Sequence, residues 1–230
     1  MGSFLNVLAY RVPRDLSVVL PRSSCPSCKK PIPWFLNLPV LGWIILRGKA
    51  RCCGSRISFR YPVVELLVGC LFGWQFYAFP VHGDLGVLIA SCLFGWIMLA
   101  VVIIDFETML IPDRFSIGGA FAGLFLSVYF PNLQGLVHPQ GITHNVSAAL
   151  SSLTGILIGS GFLYWIGAVA GRAFGREALG EGDVKLLGCI GAFCGWIPFG
   201  PYLALAALAY FFGLKRWIDP WFAWTGELVI

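Results

Sequence analysis

Asp105 and Asp183 lie at the ends of apolar segments in a charge-poor chain, the first in IIDFETMLIPD and the second in GEGDVKLLG. Ionisable groups at membrane depth are costly, so they are functional candidates by default. Two carboxylates are the minimal equipment of an aspartic protease: the ionised one activates water, and the protonated one polarises the scissile carbonyl. Close carboxylates cannot both ionise easily, so their titration belongs to the pair. Gly180 and Gly182 are expected to let a substrate backbone approach Asp183 and to permit unusual dihedrals, with Lys185 beside that approach. If Asp183 opens the apolar run after it as a helix, the dipole favours its ionised form there. That makes Asp183 the base and Asp105 the acid. The plainer alternatives are a helix cap for Asp183 and an interfacial ion pair with Arg114 for Asp105. Glu107 and Asp113 read as solvated or structural acids, Asp113 as a candidate cap for a helix from 114. Lys185 either neutralises local charge or reaches for the interface.

The elements that must position these residues follow from composition. Of the 230 residues 58% are hydrophobic and 12% charged, and the mean hydropathy is +0.80. A soluble domain carries about 25% charged residues, so the expected fold is all-α: a polytopic integral membrane helical bundle with a small cytoplasmic Cys-containing N-terminal region. No cleavable signal peptide is visible, and the opening apolar stretch is too short to span a bilayer core of about 30 Å. The net charge of +5 speaks for membrane topology rather than nucleic acid. Residues 1–61 hold ten of the sixteen Lys and Arg and four of the eight Cys. Residues 62–216 read as the membrane-embedded domain and 217–230 as a tail. Spanning helices are expected at 62–80, 85–104, 114–130 and 147–170, with shorter apolar runs at 184–198 and 201–214. Counting out and back puts Asp105 and Asp183 on one side. Arg114, Arg172, Arg176 and Lys185 share that side, joined by Lys215 and Arg216 if the last two runs pair, whereas FPVHGD and PNLQGLVHPQGITHN carry no Lys or Arg. The positive-inside rule makes the shared side cytoplasmic.

Cys25-Pro26-Ser27-Cys28 is a plausible half of a zinc site, and Cys52 and Cys53 offer a second pair. Adjacent cysteines are a poor chelate because their side chains tend to diverge, so the spacing predicts weak or sub-stoichiometric zinc. A cytoplasmic setting disfavours a structural disulfide. Cys70, Cys92, Cys189 and Cys194 lie in apolar runs and read as packing residues. His82, His138 and His144 fall on the opposite side, away from the cysteines.

The segments GSFLNVLAYRVP (2–13), CPSC (25–28), IPWFLNLPVLGWIILRGKARC (32–52), ISFRYPVVELL (57–67), IIDFETMLIPD (103–113), GEGDVKLLG (180–188) and IPFGPYLALAAL (197–208) together resemble the bacterial type IV prepilin peptidases, also called prepilin leader peptidase/N-methyltransferases. The resemblance covers nearly the whole chain. It implies a multi-pass aspartic protease of the bacterial inner membrane with its active site facing the cytoplasm. Such an enzyme removes the basic leader from prepilins or pseudopilins, and many members then methylate the new amino terminus with S-adenosylmethionine. The family's catalytic pair maps onto Asp105 and Asp183. Its four cysteines map onto Cys25, Cys28 and Cys53, with Ala50 at the fourth position and Cys52 as the substitute. No Rossmann-type glycine loop marks a methyl-donor site. Two departures from the family pattern stand out. A spanning helix usually precedes GSFLNV, and another apolar segment usually separates the counterparts of Trp196 and Ile197. They motivate the alternative of a truncated or degenerate homologue that binds prepilins without cutting them; a methyltransferase without protease activity is the other alternative.

Overall fold

The computed structural model describes residues 1–19, 25, 27–33, 38–78, 84–135, 142–175 and 180–195. Within Met1–Gly195 the chain forms one compact unit. The run expected at 201–214, the end of that at 184–198, the tail from 217, His82, His138, Arg176, Glu177, Lys215 and Arg216 lie outside the described residues.

Seven α-helices occur among the described residues: α1 (Gly2–Arg11), α2 (Leu41–Ile45), α3 (Arg60–Ala78), α4 (Leu85–Thr108), α5 (Asp113–Tyr129), α6 (Ile142–Phe174) and α7 (Glu181–Cys194). An isolated antiparallel bridge joins Lys49 with Arg56. The apolar runs therefore fold as expected, as helices. Two of them, Leu85–Thr108 and Ile142–Arg172, are long and apolar enough to cross a membrane. The expectation of full spans at 62–80 and 114–130 is narrowed: α3 carries Glu65 and Gln75, and α5 has 17 residues, short of the roughly 20 a span needs.

Local chemistry sets the boundaries. Asp84 caps α4 by accepting the Gly86 N–H at 2.8 Å, and α4 ends where Met109 turns left-handed at φ 53°. Pro112 precedes the first turn of α5 in an extended conformation. That position suits proline, because the first helical N–H groups have no intrahelical partner.

Inter-helix contacts fix the directions. Gln75 donates to the Ser91 carbonyl at 2.7 Å, and Arg60 pairs with Glu107 at the other end, so α3 and α4 are antiparallel. Asn132 donates to Asp84 at 2.6 Å, which sets the end of α5 beside the start of α4. Lys185 meets Asp113 at one end of α5, and Ser127 meets the Ala192 carbonyl at the other, so α5 and α7 are parallel. Along α6 the order reverses: Ser152 bonds Ala192, and Gly159 faces Leu187. The end of α4 and the starts of α5 and α7 thus share one end of the bundle.

The core is built from Leu5, Leu8, Ile97, Val101, Ile104, Phe115, Cys189 and Phe193 with their neighbours. Between α6 and α7 the backbones themselves touch. A Cβ on Gly155 would collide with the Gly191 carbonyl, one on Gly191 with the Gly155 carbonyl, and one on Gly159 would lie 2.6 Å from the Leu187 oxygen. Small residues four apart allow this close approach in membrane helices. The far end of α7 is closed by side chains. The Ala192 carbonyl accepts from Ser152 Oγ at 2.8 Å and Gln134 Nε2 at 3.1 Å, and Gln134 also donates to Ser127 at 2.6 Å. Gly195, at φ 64°, ends the helix, as a glycine with no Cβ penalty does.

Candidate catalytic end and cysteine cluster

Asp183 is the third residue of α7, after Gly180 at the cap and Glu181 and Gly182 in the first turn. It is exposed. Its carboxylate folds back over the cap: a Cβ on Gly180 would lie 3.1 Å from Asp183 Oδ2. Asp105 lies in the last turn of α4, half-buried, with its carbonyl accepting the Met109 N–H at 2.8 Å. The two carboxylates therefore stand at the same end of the bundle but at opposite poles of their helices, the positive end for Asp183 and the negative end for Asp105.

The segments bearing them are joined directly. Gly182 packs on Ile111, where an added Cβ would sit 2.9 Å from the Ile111 Cβ. Lys185 Nζ donates to both Asp113 oxygens, at 2.9 and 3.1 Å, and lies 3.6 Å from Glu181. Glu107 is paired with Arg60. Glu107 and Asp113 are thus each matched by a cation, with Glu181 91% exposed at the edge of the second pair, whereas among the described residues neither Asp105 nor Asp183 forms an ion pair or a side-chain hydrogen bond. The alternatives of an Arg114 pair for Asp105 and a helix cap for Asp183 find no such contact there.

Several expectations are corrected. Asp113 does not cap the helix after it; Pro112 holds the cap position, and Asp113 reaches across to Lys185. Of the two readings of Lys185, charge neutralisation is the one found. Gly180, at φ −70°, and Gly182, inside α7, use backbone conformations open to any residue. Crowding accounts for Gly182, against Ile111, whereas at Gly180 an added Cβ would meet only the movable Asp183 carboxylate. Ile111 and the Asp113–Lys185 pair were not singled out by the sequence. The one hint was that each lies within a few residues of a candidate carboxylate.

The cysteines form a second constellation. The turn at 25–30 is closed by Lys29 N–H to the Cys25 carbonyl at 2.8 Å and Cys25 N–H to the Lys30 carbonyl at 2.9 Å. Opposite it, a hairpin closes from Gly48 to Ile57, its tip wound tight by Gly54 N–H to the Ala50 carbonyl at 2.7 Å. Trp43 of α2 donates to the Ile57 carbonyl at 3.2 Å and anchors the hairpin. The sulfurs of Cys25, Cys28, Cys52 and Cys53 all lie within 4.8 Å of one another. Cys28 and Cys52 are 3.1 Å apart, Cys25 and Cys53 3.6 Å, and Cys52 and Cys53 3.9 Å. The expected divergence of adjacent cysteines does not occur. In an extended chain successive side chains point to opposite faces, but the wound tip brings these two to the same side. Tetrahedral zinc at a Zn–S distance of about 2.3 Å needs sulfurs about 3.8 Å apart, and the observed spacings bracket that value. The backbone N–H groups of Cys28 and then Ser27 pull the Cys25 thiol down to about 6. Its hydrogen bond with Cys28 pushes Cys52 up to about 12, and the Ser55 hydroxyl, 3.1 Å away, lowers Cys53. A thiol set in this arrangement is able to hold a cation in exchange for protons.

Comparison with known proteins fits this architecture. Residues 1–79 match the Bacterial Peptidase A24 N-terminal domain, and residues 92–218 match the Type IV leader peptidase family. A prepilin leader peptidase/N-methyltransferase of Klebsiella pneumoniae is 36% identical over 90% of this chain and 86% of its own length. One of Aeromonas hydrophila is 31% identical over 94% and 89%, and one of Myxococcus xanthus 36% identical over 85% and 53%. No solved structure matches. With one family model spanning more than half of its length and such relatives over most of it, the chain belongs to the type IV leader peptidase family of peptidases.

Proposed function

We propose that this protein removes the leader peptide from a type IV prepilin or pseudopilin at the cytoplasmic face of a bacterial inner membrane, with Asp105 and Asp183 as the catalytic pair. The observation that carries the reading is their shared placement: two unpaired carboxylates at one end of the bundle, on segments locked together by Gly182–Ile111 and Lys185–Asp113. Asp183, at a helix N-terminus, serves as the base that draws a proton from water. Asp105, at a helix C-terminus, donates its proton to the scissile carbonyl. The carbonyl carbon gains the water oxygen, the C–N bond breaks, and the amine leaves with a proton returned through the pair. Gly180 and Gly182 put no side chain of their own beside Asp183, and the substrate backbone is proposed to approach there. Glu107 and Asp113 are held in ion pairs, and Glu181, 91% exposed, is the acid at this end left open to a basic leader.

The excess of Lys and Arg around this end of the bundle supports a cytoplasmic orientation. The four cysteines are proposed to hold one zinc ion that fastens the 25–30 turn to the hairpin; its contribution is structural cross-linking of the region we assign to residues 1–61. The names of the relatives include N-methylation, and we extend that second step to this chain, with S-adenosylmethionine as donor. No group among the described residues forms a recognisable donor cradle, so residue roles are assigned for cleavage alone.

The test is cleavage of a prepilin by the full chain in liposomes, with Asp105→Asn and Asp183→Asn in parallel. Each substitution is expected to abolish leader removal without preventing membrane insertion. Normal cleavage by either variant sinks the dyad.

A further inference from the structure

Lys185 and Asp183 lie two residues apart on α7, about 200° around the helix, so their side chains leave opposite faces. Lys185 holds both oxygens of Asp113 at 2.9 and 3.1 Å. Asp113 opens α5 directly after the turn that follows Asp105. A helix gripped on one face cannot rotate about its axis without releasing that grip, and any rotation swings the opposite face. Gly182, just before Asp183, rests on Ile111 of the same turn, and further along α7 Leu187 and Gly191 lie against α6, so the ion pair is the polar grip on the first turns of the helix. The side chains of the pair are 33% and 58% exposed, and partly solvated ion pairs contribute little to global stability. Its geometry is therefore of more consequence than its energy.

We propose that Asp113 and Lys185 are positioning residues for peptide cleavage: their ion pair sets the rotation of α7 and so aims Asp183 at Asp105. Lys185 acts through Asp183 and does not touch the substrate. The proposal rests on the assignment of Asp105 and Asp183 as the catalytic pair.

The experiment uses the full chain in liposomes and a prepilin whose leader is released. Asp113→Asn, Lys185→Met, Lys185→Arg and the Asp113→Asn/Lys185→Met double variant are compared with Asp105→Asn and Asp183→Asn. A misplacement of about 1 Å costs on the order of 100-fold in rate, so Asp113→Asn and Lys185→Met are expected to lose about 10- to 100-fold in kcat with KM nearly unchanged. The double variant is expected to lose no more than either single, because both break one contact. Lys185→Arg, which keeps the two-oxygen grip, is expected to retain most of the rate. Wild-type kcat in Lys185→Met, a loss confined to KM, or additive losses in the double variant would each overturn the clamp. If those results appear while Asp105→Asn and Asp183→Asn are inactive, the clamp alone falls. If either aspartate variant still cleaves, the catalytic assignment falls and takes the clamp with it.

Discussion

Gly182→Ala is the sharpest probe of how the two catalytic segments meet. The added Cβ would lie 2.9 Å from the Ile111 Cβ, against a favourable carbon–carbon separation of about 3.5–4.0 Å. The obstacle is the root of a β-branched side chain, so no rotamer change relieves it. Either α7 or the turn at Ile111 must retreat by about 0.6–1 Å. Alanine gains up to about 1 kcal/mol over glycine in a helix, and overpacking costs about 1–3 kcal/mol, so the net destabilisation is about 0–2 kcal/mol. The catalytic effect is larger, because the retreat separates the segments of Asp105 and Asp183. At roughly 100-fold per 1 Å, kcat for leader removal is expected to fall about 10- to 100-fold while the protein stays folded. Gly118→Ala in α5 is the control: no atom lies within 4 Å of its added Cβ, so it is expected to stabilise by about 0.5–1 kcal/mol and cleave normally. Single-turnover cleavage in liposomes alongside thermal unfolding in detergent reads both. A Gly182→Ala protein with wild-type kcat would refute the argument that this contact sets the catalytic spacing.

Three further outcomes are expected. Gly155→Leu drives a side chain into the Gly191 carbonyl and should cost more than about 3 kcal/mol, read as loss of the folded band in detergent; a Tm near wild type would count against backbone contact between α6 and α7. Gln134→Leu removes the bonds to the Ala192 carbonyl, Ser127 and Ser151 while Ser152 still donates to Ala192, so unfolding in detergent should shift by about 1.5–4.5 kcal/mol with kcat preserved; a shift below about 0.5 kcal/mol would count against this network. One zinc per chain is expected by metal analysis, falling sharply in Cys52→Ala. The thiols give up their protons to bind the metal, so zinc retention against a competing chelator is expected to fall as the pH is lowered from about 8 to about 4. Retention independent of pH over that range would contradict the thiolate assignment.

The acids, the helices and the parity that joins them were legible in the sequence because each rests on short-range pattern: apolar run length, charge placement and the Gly-Glu-Gly-Asp turn. What escaped reading depends on contacts far apart in the chain. Lys185 and Asp113 are 72 residues apart, and no local pattern distinguishes their pairing from two solvated charges. Cys52 and Cys53 looked incompatible with a shared ion because spacing says nothing about the wound tip that turns both inward. At Gly180 and Gly182 the dihedrals are ordinary, and at Gly182 only the packed Ile111 reveals why a side chain is excluded.

The closed far end of α7 bears on permeability. With 14 residues the helix is about 21 Å long, short of a hydrocarbon core of about 30 Å. A helix end inside lipid must have its carbonyls satisfied internally, and Ser152 and Gln134 do that for Ala192 with neutral groups. In the proposed orientation, the water consumed at the carboxylates is drawn from the cytoplasm. With a hydroxyl and an amide as donors, the cap at Ala192 offers a proton no ionisable group to step onto.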